Sequence, residues 1–142
     1  MTIMESIRNF MLKCPCIEDF ELGLGVESLG EDEGSYSINT TPCNPIVKKY
    51  NDGSSVRQFD FVFASKNYFG PDVMENIQNC GFYEKFSEWL EDSTRSNDLP
   101  AMGDGKTARK LIASTTGYVF NADETSAQYQ IQCKLIYFEE KR

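Results

Sequence analysis

The sequence contains no histidine. That excludes Ser-His and Cys-His nucleophilic pairs, imidazole acid-base steps, and every metal site that depends on an imidazole ligand. It also lacks an apolar run long enough to span a bilayer, and Met1-Thr-Ile-Met-Glu-Ser-Ile-Arg8 has no charged-then-apolar export pattern. Synthesis in the cytoplasm without membrane contact is therefore expected. The five cysteines (Cys14, Cys16, Cys43, Cys80, Cys133) are odd in number and irregularly spaced, so reduced thiols are expected rather than a disulfide frame. Cys14-Pro-Cys16 has no second pair to complete a zinc site, and the Asn39-Thr-Thr sequon has no consequence in that compartment.

Basic residues are absent between Lys13 and Lys48, where Glu18, Asp19, Glu21, Glu27, Glu31, Asp32 and Glu33 supply seven acids. The rest of the chain holds fifteen acids against fourteen bases, so this stretch carries nearly all of the net charge of -8. A protein that grips nucleic acid needs the reverse sign. The acidic stretch is expected to face water or a basic partner. Glu31-Asp-Glu33 clusters carboxylates but matches no calcium loop, and a solvated acidic loop is the simpler reading.

What is present is a strand of unusual regularity. In Ser126 to Phe138, Ala127, Tyr129, Ile131, Cys133, Leu135 and Tyr137 occupy every second position, with Gln128, Gln130, Gln132 and Lys134 between them. A pleated strand sends successive side chains to opposite sides, so one face is dry and the other is wet or meets a polar partner. Val56 to Ser65 is a second such strand, with Arg57, Phe59, Phe61 and Phe63 on one face. Shorter strands are predicted at Ser35–Asn39 and Ile46–Tyr50, with Asn51-Asp-Gly53 as a hairpin turn, and a further strand at Lys110–Phe120 with Asn121–Thr125 as its turn.

Two helices are predicted. Residues 2 to 13 carry Ile3, Ile7, Phe10 and Met11 at helical spacing with Thr2 as N-cap, stopping at Cys14-Pro-Cys16. A long one starts at Gly70-Pro-Asp72, carries Val73 and Ile77 and then Phe82, Phe86, Trp89 and Leu90 on its apolar stripe, and ends by Ser96-Asn97, with an offset between the two sets at Cys80-Gly81 that predicts a bend or a rebuilt turn. Ile17 to Gly34 reads as a loose hairpin or a long loop. The expected fold class is α+β: a mostly antiparallel sheet with one long helix packed across it and a short N-terminal helix. One domain over residues 1–142 is expected, with 1–34 as N-terminal helix and acidic loop region and 35–138 as the sheet-and-helix core.

Motifs for catalysis are weak. Gly103-Asp-Gly-Lys-Thr107 looks like the end of a phosphate loop, but Pro100 stands where the first glycine is required. Gly23, Gly25 and Gly30 miss the dinucleotide spacing. Any two of twenty-two acids can meet in a fold, which leaves a small carboxylate-using enzyme open as a different class of function. No catalytic residue, metal or cofactor is assigned. The candidate residues are those of a protein interface: the basic cluster Lys106, Arg109 and Lys110, the acids Glu31, Asp32 and Glu33, the aromatics Tyr68 and Phe69 (with Tyr118 and Phe120 also near element ends), and the polar strand face Gln128, Gln130 and Gln132. Uncharged polar and aromatic residues on a flat surface suit protein contact.

Several strings together carry a resemblance. Ile46-Val-Lys-Lys-Tyr-Asn-Asp-Gly53, Gln58-Phe-Asp-Phe-Val-Phe63, Asn79-Cys-Gly-Phe-Tyr-Glu-Lys-Phe-Ser-Glu-Trp-Leu90, Leu99-Pro100, Gly117-Tyr118 and Ala127–Tyr137 resemble a small protein of tailed phages and prophages of Gram-positive bacteria. That group is similar to the tail terminator proteins, also called minor capsid proteins. The likeness covers about residues 35 to 138. It implies a virion structural protein, a homo-oligomer expected to be a hexameric ring, set between tail tube protein and neck or connector proteins, with DNA passing through without specific binding. A neck or head-completion connector on the other side of the same joint is the alternative within that class.

Overall fold

The computed structural model describes residues 2–14, 24–26, 36–68, 73–103, 105–122 and 126–140, with 67, 68, 73–80 and 126 described by backbone alone. The fold is α+β, with a mostly antiparallel seven-stranded sheet and two helices. Its axis is one long antiparallel pair, β4 (Ser55–Tyr68) and β7 (Ser126–Glu139), in unbroken register from Ser55 opposite Glu139 to Tyr68 opposite Ser126. The two strongest alternations in the sequence are thus partners. Phe61 lies opposite Cys133 and Phe63 opposite Ile131, so their apolar sets coincide on one face.

Each member of the pair is flanked by a broken strand. Beside β4 run β2 (Tyr36–Thr40) and β3 (Ile46–Lys49), both antiparallel to it. Residues 41–45, with Pro42 and Pro45, separate the two. Pro removes a ladder donor, and Thr41 N–H to Asp60 O, Gln58 N–H to Pro45 O and Gln58 Nε2–H to Asn44 O at 2.6 Å hold this stretch in line. Beside β7 run β5 (Lys106–Ala113) and β6 (Tyr118–Ala122). The single strand expected over Lys110–Phe120 is therefore corrected: it starts earlier, is interrupted at 114–117, and continues through Asn121 and Ala122, which the sequence assigned to the turn. Four residues there face only Ile131 and Gln132, and Thr115 Oγ1 accepts the Gln132 N–H at 3.1 Å. A short parallel strand, β1 (Leu24–Val26), edges β2 within the stretch that the sequence left undecided.

α1 (Ile3–Met11) is capped as expected, the Glu5 N–H donating to Thr2 Oγ1 at 3.1 Å, and it buries Ile7, Phe10 and Met11. The Arg8 Nε–H donates to the Leu24 carbonyl at 2.9 Å and ties β1 to it. α2 (Val73–Arg95) runs through Cys80-Gly81 without interruption, so the helix is not rebuilt at the offset in its stripe. It ends in a six-to-one closure: Asn97 takes φ 59°, Asn97 N–H donates to Thr94 O and Asp98 N–H to Ser93 O. The start expected at Pro71-Asp72 lies outside the described residues.

Both helices lie over the phenylalanine face. Phe86 stacks on Phe63 with ring centroids 4.6 Å apart, and Trp89 stacks on Phe10 at 5.0 Å. Tyr83, which the predicted stripe omits, is buried deeper than Phe82. Its hydroxyl donates to the Tyr129 carbonyl at 3.0 Å and shares a hydrogen bond with Ser65 Oγ at 2.5 Å. α2 reaches this close because residue 117 is glycine: a Cβ there would stand 2.5 Å from Tyr83 Cβ.

Candidate interaction surface

The opposite face of β4 and β7 has no helix or strand over it among the described residues. Its two ends differ in chemistry. At the end where Ala64 lies opposite Gln130, the polar strand face expected at Gln128, Gln130 and Gln132 is present but inwardly satisfied. Gln130 Nε2–H donates to the Tyr118 hydroxyl at 2.7 Å, Gln132 Nε2–H to the same hydroxyl at 3.2 Å, and Gln128 Nε2–H to Gln130 Oε1 at 3.4 Å. Gln130 is only 8 % exposed in consequence, whereas Gln132 stays open to water. This is a small amide and phenol network laid flat on the sheet, and it leaves Gln132 and Gln128 to meet a partner.

At the end where Val56 lies opposite Phe138, two rings stand between two cations. Lys48 Nζ stands 5.2 Å from the Tyr50 ring centre, Tyr50 and Phe138 are 6.4 Å apart, and the Arg109 guanidinium lies 4.9 Å over Phe138. A bulge creates this row. Ala108 pairs with Tyr137 and Lys110 with Ile136, so Arg109 is an extra residue and the phase of β5 flips across it. Arg109 lies over Phe138 on the open face, and Lys110 is exposed in the same row as Gln58 and Ile136.

Lys106 does not join them, which corrects the three-base cluster. It sits before the bulge on the helix-covered side, where its ammonium is 4.0 Å from Glu139, and Glu139 is held at 2.7 Å by Arg57. Lys106 also opens a strand rather than a helix, following Gly105 at φ 79°, so the phosphate-loop geometry is not formed. Glu31, Asp32, Glu33 and Phe69 lie outside the described residues, and Tyr68 closes β4 opposite Ser126. Phe120, at the bulge of β6, is 61 % exposed beside an exposed Val119.

A cavity of about 350 Å³ opens between α2 and the break at 114–117. Glu84, Glu88 and Glu91 line its helical wall, and all three are exposed. Thr115, Thr116 and Gly117 form part of the facing wall, so no carboxylate opposes them there. Glycosidase-type chemistry needs acids on both sides of the bond, and among the described residues the groove has them on its helical wall alone. Among the described residues no three of Cys, Asp and Glu converge as metal ligands, and no helix is long and apolar enough to cross a membrane. Burial raises the Cys133 thiol and the Tyr83 hydroxyl far above their ordinary ranges, which keeps the first protonated and the second a neutral donor.

Sequence reasoning missed Lys48, Tyr50 and Phe138 as a group. Lys48-Lys-Tyr50 immediately before a hairpin turn was a usable signal for two of them, but the third is set by strand register. Compared with models of known protein families and with characterised proteins, the sequence matches none of either.

Proposed function

We propose that this chain is a structural protein of a tailed phage or a phage-tail-like particle, a tail terminator that forms a ring on the end of the tail tube and joins it to the neck. In that reading the ring is a hexamer, its neighbours are tube protein and connector proteins, and its location is the tail-neck region of the virion. α2 then serves as the long helix packed across the sheet. The resemblance over residues 35 to 138 is one support. The observation that carries the reading is the polar face of β4 and β7 opposite the helices, which holds a flat amide network at one end and a row of two cations and two rings at the other. Such a surface suits another protein better than a small substrate. The acidic balance of the chain suits a bore through which DNA passes without adhering.

The test is assembly. Light scattering coupled to size exclusion, across a concentration series, is expected to give a mass that rises towards six times 16.2 kDa. Addition of the ring to growing tail tubes should then stop their elongation. Tubes that lengthen unchanged in the presence of assembled rings would remove the terminator assignment, and rings that attach to head connectors instead would move the protein to the other side of the joint.

A further inference from the structure

We propose that the cation and ring row of one copy docks against the acidic groove wall of α2 in a second copy, making a head-to-tail contact. The inference rests on the reading of the protein as a self-assembling ring and names the two surfaces by which copies meet. Lys48, Arg109 and Lys110 are exposed at the row, and no ion pair to any of them is formed among the described residues. Their complement stands on α2. Glu84, Glu88 and Glu91 recur at spacings of four and three, which puts them on one stripe of the helix. All three are exposed along the groove of about 350 Å³, and none is ion-paired among the described residues. The facing wall at Thr115, Thr116 and Gly117 carries no charge to offset them. The bases of α2 do not either: Lys85 is not part of the groove lining, and Arg95 is held by Asp92 at 2.9 Å.

One copy cannot bring these surfaces together. Phe138 is an odd number of residues along β7 from Ile131, so the row lies on the face of the sheet opposite the one that α2 covers. The two are also offset along the strands: the break at 114–117 lies beside Gln132, and Phe138 is six residues further along β7, roughly 20 Å at ~3.3 Å per residue. Two different neighbours can therefore engage both surfaces of a subunit at once. Their spacings agree. Lys48 and Arg109 stand at the two ends of a pair of rings whose centres are 6.4 Å apart, and Glu84 and Glu91 are about two helical turns apart, roughly 10 Å along the axis. Each outer cation then meets a different acid, with Tyr50 and Phe138 supplying aromatic area between them. Unlike surfaces that complement each other across copies make a heterologous contact, which closes into a ring when the rotation permits.

A charge exchange between two variants tests it: a base-reversed chain, Lys48→Glu with Arg109→Glu, and an acid-reversed chain, Glu84→Lys with Glu88→Lys. Each alone is expected to remain monomeric under conditions in which the wild type assembles, because like charges meet at the contact. An equimolar mixture is expected to assemble again, because every contact between unlike variants joins opposite charges. A second readout needs no variant to fold. Carbodiimide applied to wild type assembled from isotopically light and heavy copies is expected to join Lys48 or Lys110 to Glu84, Glu88 or Glu91 between copies.

Either variant assembling like the wild type would overturn the contact, as would a mixture that stays monomeric, an assembled wild type whose cross-links between copies avoid these residues, or a wild type still monomeric at about 1 mM. A base-reversed chain that assembles normally but loses retention on duplex DNA would overturn it in favour of a phosphate backbone. Rings that survive in both variants remove this contact and leave the terminator reading standing. Variants that behave as expected while wild-type rings fail to halt tube growth remove the terminator reading and leave the contact.

Discussion

The two faces of the β4 and β7 pair are built by alternate residues of the same two strands, and they are buried in different ways. On one, Phe61, Phe63, Ile131, Cys133 and Leu135 are sealed under α1 and α2. On the other no described element lies above the strands, yet Ser37, Ala64 and Gln130 are buried and Asp60 Oδ1 has neither solvent nor a hydrogen-bond partner. The covered face is stabilised by area removed from water, at roughly 25 cal/mol per Å². The open face is held by directional bonds such as those that converge on the Tyr118 hydroxyl. A dry face tolerates loss of specificity before loss of stability, whereas a polar network is tied to its geometry.

The largest expected effect tests the covered face directly. Phe63→Ala should lower unfolding stability by about 3 to 5 kcal/mol in urea titrations, against about 0.5 kcal/mol or less for Gln132→Ala on the opposite face of the neighbouring strand. Equal losses would break the comparison. Next, Gly117→Ala should cost about 1 to 3 kcal/mol, because the new methyl meets Tyr83 and must push α2 off the sheet. Tyr83→Phe should cost about 1 to 2 kcal/mol by removing the hydroxyl that donates to the buried Tyr129 carbonyl and bonds Ser65, and a smaller loss would mean that water replaces the phenol.

At the partly buried rim, Glu139→Gln should cost about 1 kcal/mol, since it takes the charge from the Arg57 pair at 2.7 Å but leaves an amide oxygen to accept from the guanidinium. The smallest effect lies in the β3 to β4 turn. The Ser54 hydroxyl and N–H, donating to Asp52 at 2.6 and 2.9 Å, hold its carboxyl below the ordinary 3.8. A depressed carboxyl contributes stability that is complete above its unfolded value and lost as pH falls through the lower folded one. The midpoint of the Asp52 carboxyl by NMR titration should therefore fall below 3.8, and a midpoint at or above it would remove Asp52 from the turn's stability.

Periodicity carried most of the fold that could be read in advance. Alternation identified β7 and the greater part of β4 because a single buried face imposes period two on a strand whatever lies above it. The Thr2 cap and the Asn51-Asp-Gly53 turn were legible because both depend on residues within a few positions of each other. Lys106, Arg109 and Lys110 were not legible as placed. In a regular strand Lys106 and Lys110 share a face, and the bulge at Arg109 sends them to opposite ones. Tyr83 escaped because its neighbour Phe82 fits the same stripe, and the room for its ring is left by a distant residue, Gly117 in the break between β5 and β6.

By itself, the sequence determined the two helices and the two longest strands, which face of β7 is dry, and how the charge is segregated along the chain. These follow from local periodicity and from counting. The tertiary structure alone decided that the two strongest strands are partners, that two flanking strands are broken, and that Lys48, Tyr50, Phe138 and Arg109 form one row. Register between strands distant in sequence is selected by the packing of whole faces, and a one-residue bulge reverses every side chain beyond it.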